Sequence, residues 1–134
     1  MVISDIREGL RVRLATISGL RTYAEVPDAI VVPCAIVGIP SEIKFDITLN
    51  RSNDQALFPV RVMVGKATDK QAQKNLDVYL QGSGTSSIKT VIEADSSLGG
   101  AANTLMVERV LGIGVYNING VDYLGADFQV RVWG

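Results

Sequence analysis

A chain of 134 residues with 13 basic and 14 acidic side chains, a formal net charge of -1, no histidine and one cysteine excludes several kinds of protein at once. Without histidine, the Ser/His and Cys/His nucleophiles and the commonest metal ligand are missing, and a single cysteine allows neither a disulfide framework nor a structural zinc site. The near-neutral charge offers no electrostatic footprint for tight binding to nucleic acid or anionic membranes, and the length suits one domain, 1–134, burying about two thirds of the surface its unfolded chain exposes.

Ile3, Ile6, Leu10, Leu14 and Ile17 fall on one helical stripe, which predicts a helix over Ile3–Ile17 capped by Ser4 or Asp5 and stopped by Ser18-Gly19. Val12 lies on the opposite side, as an isolated exposed valine or as a subunit contact. Charges in Met1–Glu8 stand where a signal peptide needs an apolar stretch, and no apolar run reaches membrane-spanning length, so the expectation is a soluble, cytosolic chain. Arg7, Arg11, Arg13 and Arg21 gather near the start, but Asp5 and Glu8 dilute that patch to a solvated face with at most a weak phosphate contact. Leu20–Glu25 reads as a short strand. The apolar run Cys34–Ile39 reads as a strand beginning after Pro33, with Cys34 a buried small hydrophobe.

Ile43, Phe45, Ile47 and Leu49 alternate with Glu42, Lys44, Asp46 and Thr48, which predicts a strand with one wet face. A polar loop follows over Asn50–Ala56. Leu57–Gly65 then puts Phe58, Val60, Val62 and Val64 on one face, with Pro59 pointing to an edge or a bulge. These two strands form a hairpin whose tip carries Arg51, Asn53 and Asp54, either a partner contact or a solvated loop.

Thr68 or Asp69 caps a helix that buries Ala72, Leu76, Tyr79 and Leu80 and ends at Gly82-Ser83-Gly84. Ser86 or Ser87 caps a shorter one that buries Ile88, Val91 and Ile92. The Gly82–Ser87 segment lacks the lysine and the spacing of a phosphate-binding loop and reads as a linker between helices. Glu93 and Asp95, two residues apart, form a solvated helix end rather than a catalytic pair. Asp95–Asn103 is a loop.

The last third reads as one long hairpin. Asn119-Gly120 is the strongest two-residue signal for a type I′ turn, and pairing Ile118 with Val121 sets the register. One face then reads Val115/Leu124, Ile113/Ala126, Leu111/Phe128, Arg109/Val130 and Val107/Val132, the expected core face. The other reads Tyr116/Tyr123, Gly114/Gly125, Gly112/Asp127, Val110/Gln129, Glu108/Arg131 and Met106/Trp133, half apolar and therefore expected to be covered. Asp122 and Asp127 have opposite parity and cannot form a dyad. Strands of roughly a dozen residues reach about 40 Å, farther than the chain's own helices can cover, so part of the hairpin is expected to pack on a neighbour. The whole order predicts an α+β fold: an antiparallel or mixed sheet with two or three α-helices packed on one face.

In Leu57–Asp69, in Gly82–Lys89, and in Gly114-Val115-Tyr116 with Gly120–Gly125, the chain resembles the small tail-terminator proteins, which complete the tail and join it to the head, of long-tailed actinobacterial, siphovirus-type bacteriophages. The similarity runs from the first helix to the final strand, on structural rather than catalytic signatures. It implies a non-enzymatic virion protein without cofactor or metal, a homohexameric ring that caps the tail tube and ends polymerisation of the major tail protein. Its other face would meet the head-completion or connector protein, and DNA would pass through as cargo. The implied place is the tail–head junction of the virion, after assembly in the bacterial cytoplasm. The expected contact residues for subunits or partners are Arg51, Asn53, Asp54, Tyr116, Tyr123, Arg131 and Trp133. The readings left beside it are another head–tail adaptor such as a head-completion protein, a nucleic-acid-binding module, and a small-molecule enzyme with a pocket lined by Glu93, Asp95 or Arg109.

Overall fold

The computed structural model describes residues 2–25, 29–45, 53–68 and 70–134. In chain order the elements are α1 (Ile3–Leu14), β1 (Arg21–Tyr23), β2 (Cys34–Val37), β3 (Glu42–Lys44), β4 (Gln55–Lys66), α2 (Lys70–Leu80), α3 (Ile88–Glu93), a 3-10 turn at Leu98–Gly100, β5 (Thr104–Ile118) and β6 (Val121–Trp133). The fold is α+β. Among the described residues six strands form one sheet in the order β1-β2-β4-β6-β5, with β3 added to β4 next to β2. The sheet is mixed because β1 runs parallel to β2 while the other pairs are antiparallel.

All three helices bury their apolar stripes on the same sheet face. Ile6, Leu10 and Leu14 of α1, Ala72, Leu76 and Tyr79 of α2, and Ile88, Val91 and Ile92 of α3 join one core with Phe58, Val60, Val62, Ala126, Phe128, Val130 and Val132. The stripes read from sequence are the buried ones, with Ile3 and Leu80 at the helix ends only partly buried against the core, because residues three and four apart share a helix face. Helix ends were less legible. Val2 occupies the N-cap of α1 without a side-chain hydrogen bond, so neither Ser4 nor Asp5 caps it, and the helix stops at Leu14 while Ile17 stays buried beyond it. Ser87 does cap α3, its Oγ accepting from the Thr90 amide at 3.3 Å and donating to the Gln81 carbonyl at 2.5 Å. The proposed Asp69 cap lies outside the described residues.

β4 is a central strand, which corrects the edge or bulge reading of Pro59. It pairs with β6 on one side and with β2 and then β3 on the other, and Pro59 falls in the gap between those two. The absent N–H therefore costs no ladder bond, while the Pro59 carbonyl accepts from the Gly38 amide at 2.8 Å. A Cβ on Gly38 would stand 2.9 Å from the proline ring, so the chain can close here only on a glycine. The bulge that β4 does contain lies at Val64, between the Met63↔Gly125 and Gly65↔Leu124 pairs.

β3 is described over Glu42–Lys44, and the end of the alternation, 46–49, lies outside the described residues. Ile43 packs against the core, but Phe45 is 71% exposed, against its expected inward place. Ile47, Leu49 and Arg51 lie outside the described residues. The antiparallel β3–β4 hairpin itself is present, with Glu42↔Leu57, Ile43↔Ala56 and Lys44↔Gln55.

Candidate subunit interface

The closing hairpin follows its predicted register only near the turn. Ile118↔Val121, Tyr116↔Tyr123, Val115↔Leu124 and Gly114↔Gly125 are paired as expected, with Asn119 at φ 52° and Gly120 at φ 81° as a type I′ turn requires. Two bulges in β5 then shift everything beyond them. Between Gly114↔Gly125 and Leu111↔Asp127, two residues of β5 oppose the single Ala126, and Gly112 takes φ 61°. Between Arg109↔Gln129 and Val107↔Val130, Glu108 is the extra residue.

The shift exchanges partners. Phe128 faces Val110 rather than Leu111, Val130 faces Val107 rather than Arg109, Val132 faces Leu105, and Trp133 faces Thr104 rather than Met106. A one-residue slip moves a side chain to the other sheet face. Leu111 accordingly leaves the core row and is 46% exposed, with Ile113 and Val115 each 58% exposed. Val115 keeps the parity of Leu124, but the hairpin's distal half is left open. β5 is the outermost strand and pairs only with β6, so among the described residues no strand lies along its other side.

Both bulges are held in place. At the proximal one the Val107 amide donates to Glu93 Oε2 at 2.9 Å, while Glu93 Oε1 accepts from Lys89 Nζ at 2.5 Å. Burial pushes the Glu93 pKa up, but the hydrogen bonds from Lys89 and Val107 and the lysine charge outweigh it, and the net shift is downward. Glu93 is thus neither a free carboxylate nor paired with Asp95, which accepts from the Ser97 amide and hydroxyl and from the Gly99 amide. At the distal bulge the Tyr116 hydroxyl donates to the Gly112 carbonyl at 2.6 Å.

The second hairpin face is covered in part by the chain itself. Cys34, Ile36 and Met63 form a small core there, joined by Tyr23, Ile30, Val32, Tyr116, Ile118 and Tyr123. Burial pushes the Cys34 thiol up to about 11. Arg61 lies 4.5 Å over the Tyr116 ring and holds Asp127 through two hydrogen bonds of 2.9 and 3.2 Å. That bidentate bond, followed by the Asp127 charge, raises the Arg61 pKa despite partial burial. The pair borders an open groove of about 570 Å³ with Ile36, Pro59, Met63 and Ile118.

The expected contact residues do not form one patch. Tyr116 and Tyr123 are half-buried near the turn. Arg131 and Trp133 sit at the other end, where Arg131 Nη2 meets Glu108 Oε2 at 3.1 Å and Nη1 meets Gln55 at 3.1 Å and Glu42 at 3.6 Å. The expected Glu108/Arg131 pair thus survives as an ion pair although Glu108 is the bulged residue. Asn53 accepts from Asn103 Nδ2 at 2.9 Å, and Asp54 exchanges backbone hydrogen bonds with Gly134. Sequence reasoning missed Leu111, Ile113 and Val115 as exposed residues. The signal was present: Leu105 and Val107 share one parity, Val110 has the other, and two adjacent charges separate them.

Among the described residues no group of three or more Cys, Asp or Glu is placed to hold a metal, and no helix is long and apolar enough to cross a membrane. No protein-family profile matches the chain, and no curated protein is significantly similar to it.

Proposed function

We propose that the chain is a structural subunit of a bacteriophage tail, a tail-terminator protein that closes the tail tube as a ring of six copies and joins it to the head connector with DNA passing through. The observation that carries this reading is the open sheet. Among the described residues, β5 runs fifteen residues along one edge with no strand on its outer side and with Leu111, Ile113 and Val115 exposed, and no strand flanks β1 at the opposite edge. An exposed apolar edge strand is an aggregation hazard that soluble monomers blunt with charge, proline or a covering element. A subunit that meets its own copies head to tail has a use for it, and such contacts close into a ring when the rotation fits.

The sequence resemblance supports the same assignment and supplies the remaining partners, the major tail protein and a head-completion or connector protein. The formal charge of -1 also suits a ring through which DNA slides rather than sticks. The test is the native mass of the purified protein, alone and with tail tubes, followed by electron microscopy. A species of six times the 14.4 kDa chain and rings at one end of each tube are expected. A chain that stays monomeric with tubes present and leaves their ends bare would overturn the assignment.

A further inference from the structure

The geometry points to the specific contact between copies: the outer edge of β1 in one copy adds antiparallel to the distal half of β5 in the next, with Glu25 facing Arg109. The strand directions require the antiparallel sense. β1 runs with β2, and the β2–β4, β4–β6 and β6–β5 pairs are each antiparallel, so β1 and β5 run in opposite directions. A second copy that continues the sheet therefore presents β1 to β5 as an ordinary antiparallel neighbour.

The levels also match. Following the ladders across the sheet, Arg21 is level with Cys34, Met63, Gly125 and Gly114, while Tyr23 is level with Ile36, Arg61, Asp127 and Leu111. With the two copies level, Thr22 meets the bulge at Ile113, and Tyr23 meets Leu111 on the same sheet face. Within the chain β1 ends at Tyr23 and the backbone bends at Ala24 and Glu25; the proposed contact extends the strand by two residues, which brings Glu25 level with Arg109, itself paired with Gln129 and through it with Pro59. Both are exposed, and each has the opposite charge of its counterpart. Two exposed apolar residues of β5 and its charged Arg109 thereby acquire partners in one register, by backbone pairing with side-chain specificity added.

This contact rests on the ring reading for its head-to-tail sense, and the test separates the two. Chains carrying Glu25→Cys and chains carrying Arg109→Cys are mixed under mild oxidation, with the buried Cys34 left in place. The expected result is a disulfide between the two kinds of chain, and a ladder of cross-linked species from the double variant. Glu25→Arg or Arg109→Glu alone should raise the concentration needed for assembly roughly three- to fivefold, and the combined charge swap should restore it. Thermal melting of each variant separates loss of contact from loss of fold. Disulfides between Arg109→Cys chains alone would show a β5–β5 contact and overturn the proposal, as would assembly without any mixed disulfide or a chain that never associates. A ladder ending below six would keep the edge contact and remove the six-membered ring; a hexamer without the mixed disulfide would do the reverse.

Discussion

Gly114 and Gly125 face each other across the hairpin, and replacing each by alanine should have opposite effects. A Cβ on Gly125 would run into the Val62 carbonyl oxygen and lie 3.1 Å from Met63 Cγ and 3.3 Å from Tyr116 Cδ2. The carbonyl belongs to the central β4 strand and cannot retreat without opening the ladder to β6 beside the Val64 bulge. Overpacking of this kind costs about 1–3 kcal/mol, and each strained ladder bond about 1 more, giving roughly 2–4 kcal/mol. For a chain of this size that lowers Tm by roughly 6–16 °C. A Cβ on Gly114 meets nothing within 4 Å. Gly114→Ala should leave stability unchanged or raise it by up to about 1 kcal/mol, since alanine has less backbone entropy to lose than glycine. Urea unfolding followed by circular dichroism, with calorimetry for Tm, measures both. Equal losses at the two sites would refute the argument that close approach, rather than the glycine pair as such, fixes Gly125.

Glu93→Ala leaves the Val107 amide without its acceptor and should cost about 1–2 kcal/mol in urea unfolding, with Glu93→Gln milder because its carbonyl still accepts. The folded-state pKa of Glu93 is lowered, so below its ordinary value of 4.5 the unfolded chain binds the proton first; its stabilisation is present above that pH and is lost as pH falls through the lower folded value. The acid limb of the stability profile should be shallower in Glu93→Gln, and an unchanged limb would remove Glu93 as a contributor. Cys34, with its pKa pushed up to about 11 by burial, should not react with a thiol reagent at pH 8 in the folded protein and should react promptly in guanidinium chloride.

Local rules carried a good part of the fold. The three helices, their buried stripes and the Ser87 cap follow from spacing and from one hydroxyl, because a helix resolves its contacts within four residues. β3 shows the limit of the same logic for strands. Its alternation was legible, but Phe45 is exposed because alternation assigns two faces and cannot say how far along the strand either is covered. Pro59 shows another limit. A proline excludes a ladder bond on one side only, and whether that side is a sheet edge or a gap between two successive neighbours depends on chain segments far away.

The hairpin isolates what sequence pairing leaves out. β5 has fifteen residues and β6 thirteen, yet both span Thr104↔Trp133 to Ile118↔Val121. The two residues of excess are the two bulges, and a register propagated from Asn119-Gly120 cannot hold past the first. The straight register carried its own warning, for it placed Arg109 opposite Val130 in the core row. Desolvating an unpaired arginine costs far more than a bulge, so the physically consistent register breaks the ladder before Arg109 reaches the core. Glu108 at the break keeps its ion pair with Arg131, Glu93 supplies the acceptor for the Val107 amide, and Arg109 is turned outward. The same adjustment carries Leu111 outward, and with Ile113 at the second bulge it leaves an exposed apolar stretch on the edge strand. Keeping one arginine out of the core and exposing an apolar stretch on one sheet edge are thus a single structural consequence of two extra residues in β5.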